Sequence, residues 1–300
     1  MSEEIHQCPL CGSSHIIKEF KRIQDYAVSQ ESFTIDQCQN CDLIFTNPRP
    51  EKQDIAPYYE FEEYYSHSDG GDDLVSKIYQ GVKARNIRSK LKDLEFLHGA
   101  PGKWLDYGCG TAELINQGKM AGWEVSGIEP NSNAFSLANT KLPGQIFQTL
   151  DDCSETSFDI ISLYHVLEHI HDIRETIKEL LNKLKSRGHL IIAVPNPLSP
   201  DSNKYQDQWA GWDVPRHLYH FPSSTMEEFG KIFSLDLIRI QPMLFDSFYV
   251  SLLSESYQNP NQSNISKYLS AFYSGLWSNI KASSDSNFEH SSNIYYFRKP

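Results

Sequence analysis

The sequence predicts a doubly wound α/β protein carrying a small N-terminal metal ribbon. Three observations carry that reading: two C-x-x-C knuckles near the N-terminus, a strand-to-helix glycine loop at 108–110, and alternating strand and helix patterns from there onward. The 300 residues suffice to bury one or two cores, and 39% hydrophobic with 12% aromatic content excludes a disordered chain. The longest clean apolar run, Leu190 to Val194, is far shorter than the roughly 18 residues of a membrane span. The opening MSEEIHQC lacks the basic-then-apolar pattern of a secretory leader. Six cysteines are too few for a disulfide scaffold, so the expectation is a cytoplasmic protein in a reducing compartment, with no membrane partner. With 27 basic and 39 acidic residues the net charge is −12, which opposes nucleic-acid binding by bulk attraction.

The knuckles Cys8-Pro9-Leu10-Cys11 and Cys38-Gln39-Asn40-Cys41 each set two thiolates on a tight turn. Together they complete a tetrahedron for Zn2+, with no position left for a reactive water, so the ion is expected to be structural. Four unrelated buried cysteines, or a redox dithiol, are the alternatives; redox motifs come singly on a βαβ unit. Ile16-Ile17 and 33–35 read as strands bridging the knuckles, which gives a ribbon over 1–47. Residues 48–72 change character. Pro48, Pro50 and Pro57 break regular structure, and Tyr58, Tyr59, Phe61, Tyr64 and Tyr65 predict an aromatic linker packed as a lid over a pocket or a strap over the core.

The main domain is expected over 73–300, with insertions near 198–222 and 250–290. Apolar spacing over 74–97 predicts one or two amphipathic helices. Strands are expected at 104–107, 124–128, 145–148, 158–164 and 189–194. A helix is expected over 173–187, opened by an Asp172/Glu175 capping box and stopped by Gly188. Ser223-Ser224-Thr225 open another helix before a strand at 235–240. Ile265, Leu269, Phe272, Leu276 and Ile280 keep helical spacing, which predicts an inserted helix ahead of a last strand at 293–298.

Gly108 and Gly110 let the chain turn sharply and let a ligand approach the backbone. The third glycine of a dinucleotide fingerprint would fall at position 113, where Glu113 opposes a pyrophosphate. Asp106 stands just before the loop. Glu129 ends the next strand, nineteen residues beyond Gly110, where an acid accepts both ribose hydroxyls. Two acids without a phosphate clamp suit a nucleoside with a cationic amino-acid tail, which is S-adenosylmethionine.

Four blocks, LDYGCGTAELI, VSGIEPN, FDIISLYHVLEHI and GHLIIAVPNP, resemble in order and spacing the class I S-adenosylmethionine-dependent methyltransferases, over roughly residues 75–245 and the last strand. The ribbon and tyrosine-rich stretch ahead of them resemble a bacterial subgroup acting on sugars and other small metabolites. The resemblance implies a Rossmann-like sheet in the order 3-2-1-4-5-7-6, counting the domain's own strands, with strand 7 antiparallel. It implies that Gly108, Cys109 and Gly110 cradle the methionine part, that Glu129 and Pro130 meet the ribose, that Asp151 or Asp152 meets the adenine amino group, and that Tyr164 and His165 border the methyl. Asp106 lies beside the ligand or organises the loop. One departure is plain: residues 151–157 are too few for the usual helix between the third and fourth strands.

Methyl transfer from a sulfonium needs alignment, exclusion of water and, for some acceptors, a base. The cluster Trp209, Trp212, Arg216, His217, Tyr219, His220 is expected to build the acceptor pocket, with Arg216 holding an anionic group and His217 as base. His220 and His165 are the further base candidates, and a packed insertion is the plainer alternative. In the ubiquinone-type O-methyltransferases the block matching His165 to His169 is associated with a divalent ion. Here His165 stands where an acid would be, and a structural role for Glu168 and His169 is preferred. The expected activity is methyl transfer (EC 2.1.1) to an O, N or C atom of a small polar metabolite. The alternative is an RNA or protein methyltransferase that reads its substrate with the ribbon.

Overall fold

The computed structural model describes residues 2–59, 74–285 and 289–300, with the backbone alone at 74–79. Phe61, Tyr64 and Tyr65 of the expected aromatic segment lie outside the described residues. The main sheet contains seven strands: β6 (Lys103–Tyr107), β7 (Glu124–Ile128), β8 (Ile146–Phe147), β9 (Phe158–Tyr164), β10 (Leu184–Pro195), β12 (Asp236–Pro242) and β13 (Ser292–Arg298). Their order is β12-β13-β10-β9-β6-β7-β8, and β13 runs antiparallel to both neighbours. This is the order 3-2-1-4-5-7-6 expected from the four blocks. No helix separates β8 from β9.

Alternation along each strand sends successive side chains to opposite faces. Leu105, Ile161, Leu163, Leu190, Ile192, Tyr295 and Phe297 fill the core on one face. Trp104, Ile160, Ile191, Ala193, Ile294 and Tyr296 fill the other. The second face is covered by α1 (Leu74–His98), α2 (Glu113–Met120) and α3 (Ser132–Lys141), through Leu94, Ile115 and Ala138. The first face takes α4 (Ile173–Lys183) and α6 (Ser223–Ile232) through Ile177, Leu180, Met226 and Phe229.

The α4 boundary differs from expectation. The helix stops at Lys183, and Asp172 caps it through its backbone carbonyl, which accepts from Thr176, while its side chain makes no cap bond. The stop comes from the far end of the chain: Lys299 Nζ donates to the carbonyls of Leu181 (2.7 Å) and Leu184 (2.8 Å). Leu184 already pairs with Phe158, so β10 begins there, and Arg187 at φ 62° absorbs the irregularity in place of Gly188.

The ribbon is woven into this body. Strands β2 (Ile16–Gln24), β3 (Ser32–Cys38) and β4 (Ile44–Thr46) form a sheet whose fourth strand, β11 (Tyr219–His220), comes from the insertion after β10. A small ladder of β1 (Ser2–Glu3) and β5 (Arg49–Pro50) completes it. Cys8, Leu10, Cys38, Cys41 and Phe45 share one core cluster with Leu105 and Leu190 of the main sheet and with Phe221, which follows β11. Between β10 and β11 lies α5 (Pro200–Tyr205), and α7 (Asp246–Gln258) and α8 (Asn264–Ser284) form a hairpin between β12 and β13. That hairpin closes through small residues: a Cβ at Gly275 would stand 2.7 Å from the Phe248 ring. Buried Asp201 ties the parts together, accepting from Trp209 Nε1 (2.8 Å), Ser278 (2.6 Å) and Ser291 (2.7 Å).

Candidate active site

The loop after β6 is held by two amides on one carbonyl: Gly108 N and Cys109 N both donate to Ile128 O (2.8 and 3.0 Å). At Gly108, φ is 79° and a Cβ would lie 2.4 Å from Val166, so only glycine fits the turn. At Gly110, φ is 54° and a Cβ would meet nothing within 4 Å, so the loop is open where a ligand would approach. Glu129 accepts from Gly110 N (2.8 Å) and Asn131 N (2.9 Å). A carboxylate offers about four lone-pair sites, so two remain for a ligand. The cap of α3 is made by Asn131, which leaves Glu129 free of that duty. Cys109 packs against Gly127, and burial pushes its thiol pKa up, as suits a filler.

Asp106 is buried and accepts from Ser162 (2.5 Å), which in turn accepts from Trp104 Nε1 (2.8 Å). Burial pushes its carboxyl up to about 6, against the Ser162 bond and the charge of Lys90. Lys90 projects from α1 with its ammonium 3.7 Å from the centre of the Tyr164 ring, and it makes no hydrogen bond among the described residues. Burial lowers its pKa, opposed by Asp106 and Asp246. The Tyr164 hydroxyl is buried without a partner.

Past β9 the chain turns at His165 (φ 57°). His165 Nε2 lies 3.0 Å from Asp246 at the start of α7, and Nδ1 lies 3.5 Å from Glu168. Burial works against its charge, but the two acids outweigh it and hold the imidazole at about 10. With a carboxylate facing each ring nitrogen, His165 favours its cationic form, which has no lone pair to offer and argues against a role as base. Glu168 is 0% exposed and neither carboxylate oxygen has a hydrogen-bond partner. Burial opposes its charge, but the facing His165 ring outweighs it and holds the Glu168 carboxyl below the usual range.

His169 and His217 present matching tautomers. A carbonyl only accepts, so His169 Nδ1 donates to Arg216 O (2.9 Å) and His217 Nδ1 donates to Gly211 O (2.9 Å). In the neutral ring of either residue it is then Nε2 that carries the lone pair. Glu168, His169 and His217 offer ligand atoms that all lie within 4.8 Å of one another. Tyr59, from the aromatic segment, places its hydroxyl 3.1 Å from His169 Nδ1.

The rest of the expected acceptor cluster is spent on structure. Arg216 is 7% exposed and its fork is filled by Asp213 (2.6 Å) and Asp25 (3.0 Å), so it holds no free anion site. Trp209 and Trp212 are buried edge-to-face and pack the insertion onto Ile23 and Ile35 of the ribbon, and the cleft they edge beside Asp25, Arg216 and Tyr257 is too small for an acceptor. His220 is buried in β11 with its ring 4.9 Å from Trp212, and burial drives its pKa well below the usual value. Asp151 and Asp152 are exposed in the turn after β8, Asp152 accepting from Thr149 (2.7 Å). Lys90 and Asp246 escaped the sequence reading. Lys90 sat inside an ordinary amphipathic helix, and the one available signal was that a ligand ending in a carboxylate needs a cation.

In the ribbon, the Sγ atoms of Cys8 and Cys41, and of Cys11 and Cys38, lie 3.5 Å apart, with all four inside 4.8 Å. Sulfurs around zinc at ~2.3 Å bonds stand roughly 3.8 Å apart, so this donor set fits the ion.

A family model described as a methyltransferase domain matches residues 79–238, more than half of the chain. The chain belongs to that methyltransferase-domain family, and its sheet has the class I strand order. Among similar proteins, a ubiquinone biosynthesis O-methyltransferase of Rickettsia bellii is 22% identical over 158 residues, covering 48% of this chain and 62% of that protein. The chain thus spans less than two thirds of that relative's length. An uncharacterized methyltransferase of Bacillus cereus is 33% identical over 91 residues, covering 27% of this chain and 43% of that one. A magnesium protoporphyrin IX methyltransferase from Synechocystis, solved with S-adenosylhomocysteine, superposes with a TM-score of 0.53 at 15% identity, covering 83% of this chain and all of that chain. That likeness concerns the fold. Among the described residues no helix is long and apolar enough to cross a membrane.

Proposed function

We propose that this enzyme moves the S-adenosylmethionine methyl to a hydroxyl oxygen of a small polar acceptor seated at Glu168, His169 and His217. The observation that carries the reading is the buried Glu168 carboxylate, which makes no hydrogen bond and meets only His165 at 3.5 Å as an ion-pair partner, beside two imidazoles whose Nδ1 atoms are already bonded to carbonyls. Imidazoles oriented in this way, next to a bare carboxylate, form a donor set for a divalent ion. Such an ion, when bound, lowers the pKa of an oxygen it touches. The chain's own groups do the remainder. The Gly108–Gly110 loop, with Cys109 behind it, takes the methionine part. Glu129 and Pro130 take the ribose, the exposed Asp151–Asp152 turn meets the adenine, and Asp106 orders the loop through Ser162. Tyr164 and His165 line the methyl's path. In the reaction the sulfur–methyl bond breaks to leave S-adenosylhomocysteine, an oxygen–methyl bond forms, and the hydroxyl proton passes to solvent.

Lys90 is the group for the cofactor's carboxylate. An ammonium with only an aromatic face and two acids near it gains a direct charge-assisted partner when the zwitterionic tail arrives. Lys90→Met is expected to weaken S-adenosylhomocysteine binding about ten- to hundredfold by calorimetry, while affinity for 5′-methylthioadenosine, which lacks the amino-acid tail, stays unchanged. An equal loss for both ligands contradicts this role.

The RNA or protein alternative asks the ribbon to read a macromolecule. A ribbon that shares its sheet with β11 and its core with β6 and β10 supports a structural duty instead. Incubation of the enzyme with labelled S-adenosylmethionine and fractionated cell extract tests the proposal: label should enter the small-molecule pool in a divalent-ion-dependent way. Label in RNA or protein alone refutes it.

A further inference from the structure

Helix α8 turns its small residues (Ala271, Ser274, Gly275, Ser278) toward α7 and carries large apolar side chains on the opposite side. Ile265 is 76% exposed, Leu269 67%, Tyr273 70% and Ile280 62%. Soluble monomers rarely leave so continuous an apolar stripe uncovered. The stripe also reads the same from both ends. About a point between Phe272 and Tyr273, Ile265 mirrors Ile280, Leu269 mirrors Leu276, and the two central aromatics mirror each other. Tyr268 and Trp277 extend the symmetry at the rim.

A mirror pattern of this kind suits an antiparallel two-fold pair, because residue i meets residue j of the partner while j meets i, and side chains of like size then face each other along the whole stripe. We propose that α8 pairs antiparallel with the α8 of a second copy of this chain, placing Leu269 of each chain against Leu276 of the other. The stripe from Ile265 to Ile280 spans roughly 22 Å, long enough for a stable helix pair. Charge agrees with this occupant. In a chain of net charge −12, α8 contains no acid, and its two lysines, Lys267 and Lys281, mirror Ser278 and Asn264, so no like charges meet. The pairing also backs the helix that matters most to the site, since α8 holds α7 through Phe248 and α7 delivers Asp246 to His165.

Light scattering on the eluting 300-residue chain should give twice its 34.4 kDa mass at micromolar concentration. Leu269→Glu and Leu276→Lys are each expected to raise the dimer dissociation constant about hundredfold or more, since each buries a charge against leucine. The double variant L269E/L276K should recover the dimer, because antiparallel pairing sets each new acid against the partner's new base. Circular dichroism and S-adenosylhomocysteine affinity should be unchanged in all three, these positions being solvent-exposed and away from the cofactor loop. A monomeric wild type, a double variant no better than the singles, or monomer uptake onto phosphatidylcholine vesicles each overturns the proposal.

Discussion

Glu168→Gln is expected to lower turnover by ~10²–10³-fold while S-adenosylhomocysteine affinity stays at the wild-type value. The substitution is isosteric, and the backbone bond from Leu218 N to Glu168 O (2.8 Å) is untouched, so the fold should hold. A shift in melting temperature above about 4 °C is not expected, that being roughly 1 kcal/mol for a chain of this size. What is lost is the single anionic member of the proposed donor set. Mn2+ binding, followed by its paramagnetic signal, should weaken at least tenfold in Glu168→Gln and in His217→Ala. The second variant separates two roles for His217. A ligand lost from a three-donor site is partly compensated by millimolar metal, whereas a lost base is compensated by added imidazole. Recovery by imidazole alone returns His217 to the role of base, and full activity in Glu168→Gln removes the site altogether.

The sheet was readable because its information is local: apolar strands at regular spacing, a glycine turn, and acids at strand ends. The order of seven strands came from the four blocks together, and the resemblance that they carry. The acceptor side was less readable. Arg216 looked like an anion clamp in sequence, but its partners are Asp213, three residues before it, and Asp25, which is 191 residues away. Trp209 and Trp212 looked like walls and are core, because the ribbon strands that cover them fold against them from the other end of the chain. His217 was read without Glu168 or His169 as companions, since nothing along the chain announces that a loop 48 residues on returns to the end of β9. Asp246 gave no local signal at all. It opens a helix in a Ser- and Asn-rich stretch, and its importance arises only from lying 3.0 Å from His165. The same holds for α4, whose end is set by Lys299 rather than by the glycine beside it.

Removal of the zinc is expected to unfold the whole chain, not the ribbon alone. A separate ribbon without a core of its own would depend on the metal and leave the catalytic domain standing. Here Cys8, Cys38 and Cys41 are each at most 2% exposed and lie in the same cluster as Leu10, Phe45, Ile161, Leu190 and Phe221. Thr225 at the start of α6 donates to Cys41 O (2.8 Å), and Leu218 O accepts from Thr46 N (3.0 Å), so both knuckle and ribbon sheet are bonded to the insertion and α6. Structural zinc contributes on the order of 10 kcal/mol or more to such sites, which is comparable with the full 5–15 kcal/mol stability of a domain. Without the ion, four thiolates crowd within 4.8 Å and must take up protons or separate, and either change reaches the main core. Metal analysis of protein purified without chelator should give about one zinc per chain. Cys38→Ala, or dialysis against a strong chelator under reducing conditions, should abolish S-adenosylhomocysteine binding and lower the melting temperature by more than about 10 °C in a single transition. A zinc-free chain that still binds the cofactor analogue with wild-type affinity, or that melts in two steps with the upper one unchanged, would show that the ribbon and the catalytic sheet are energetically separate despite their shared core.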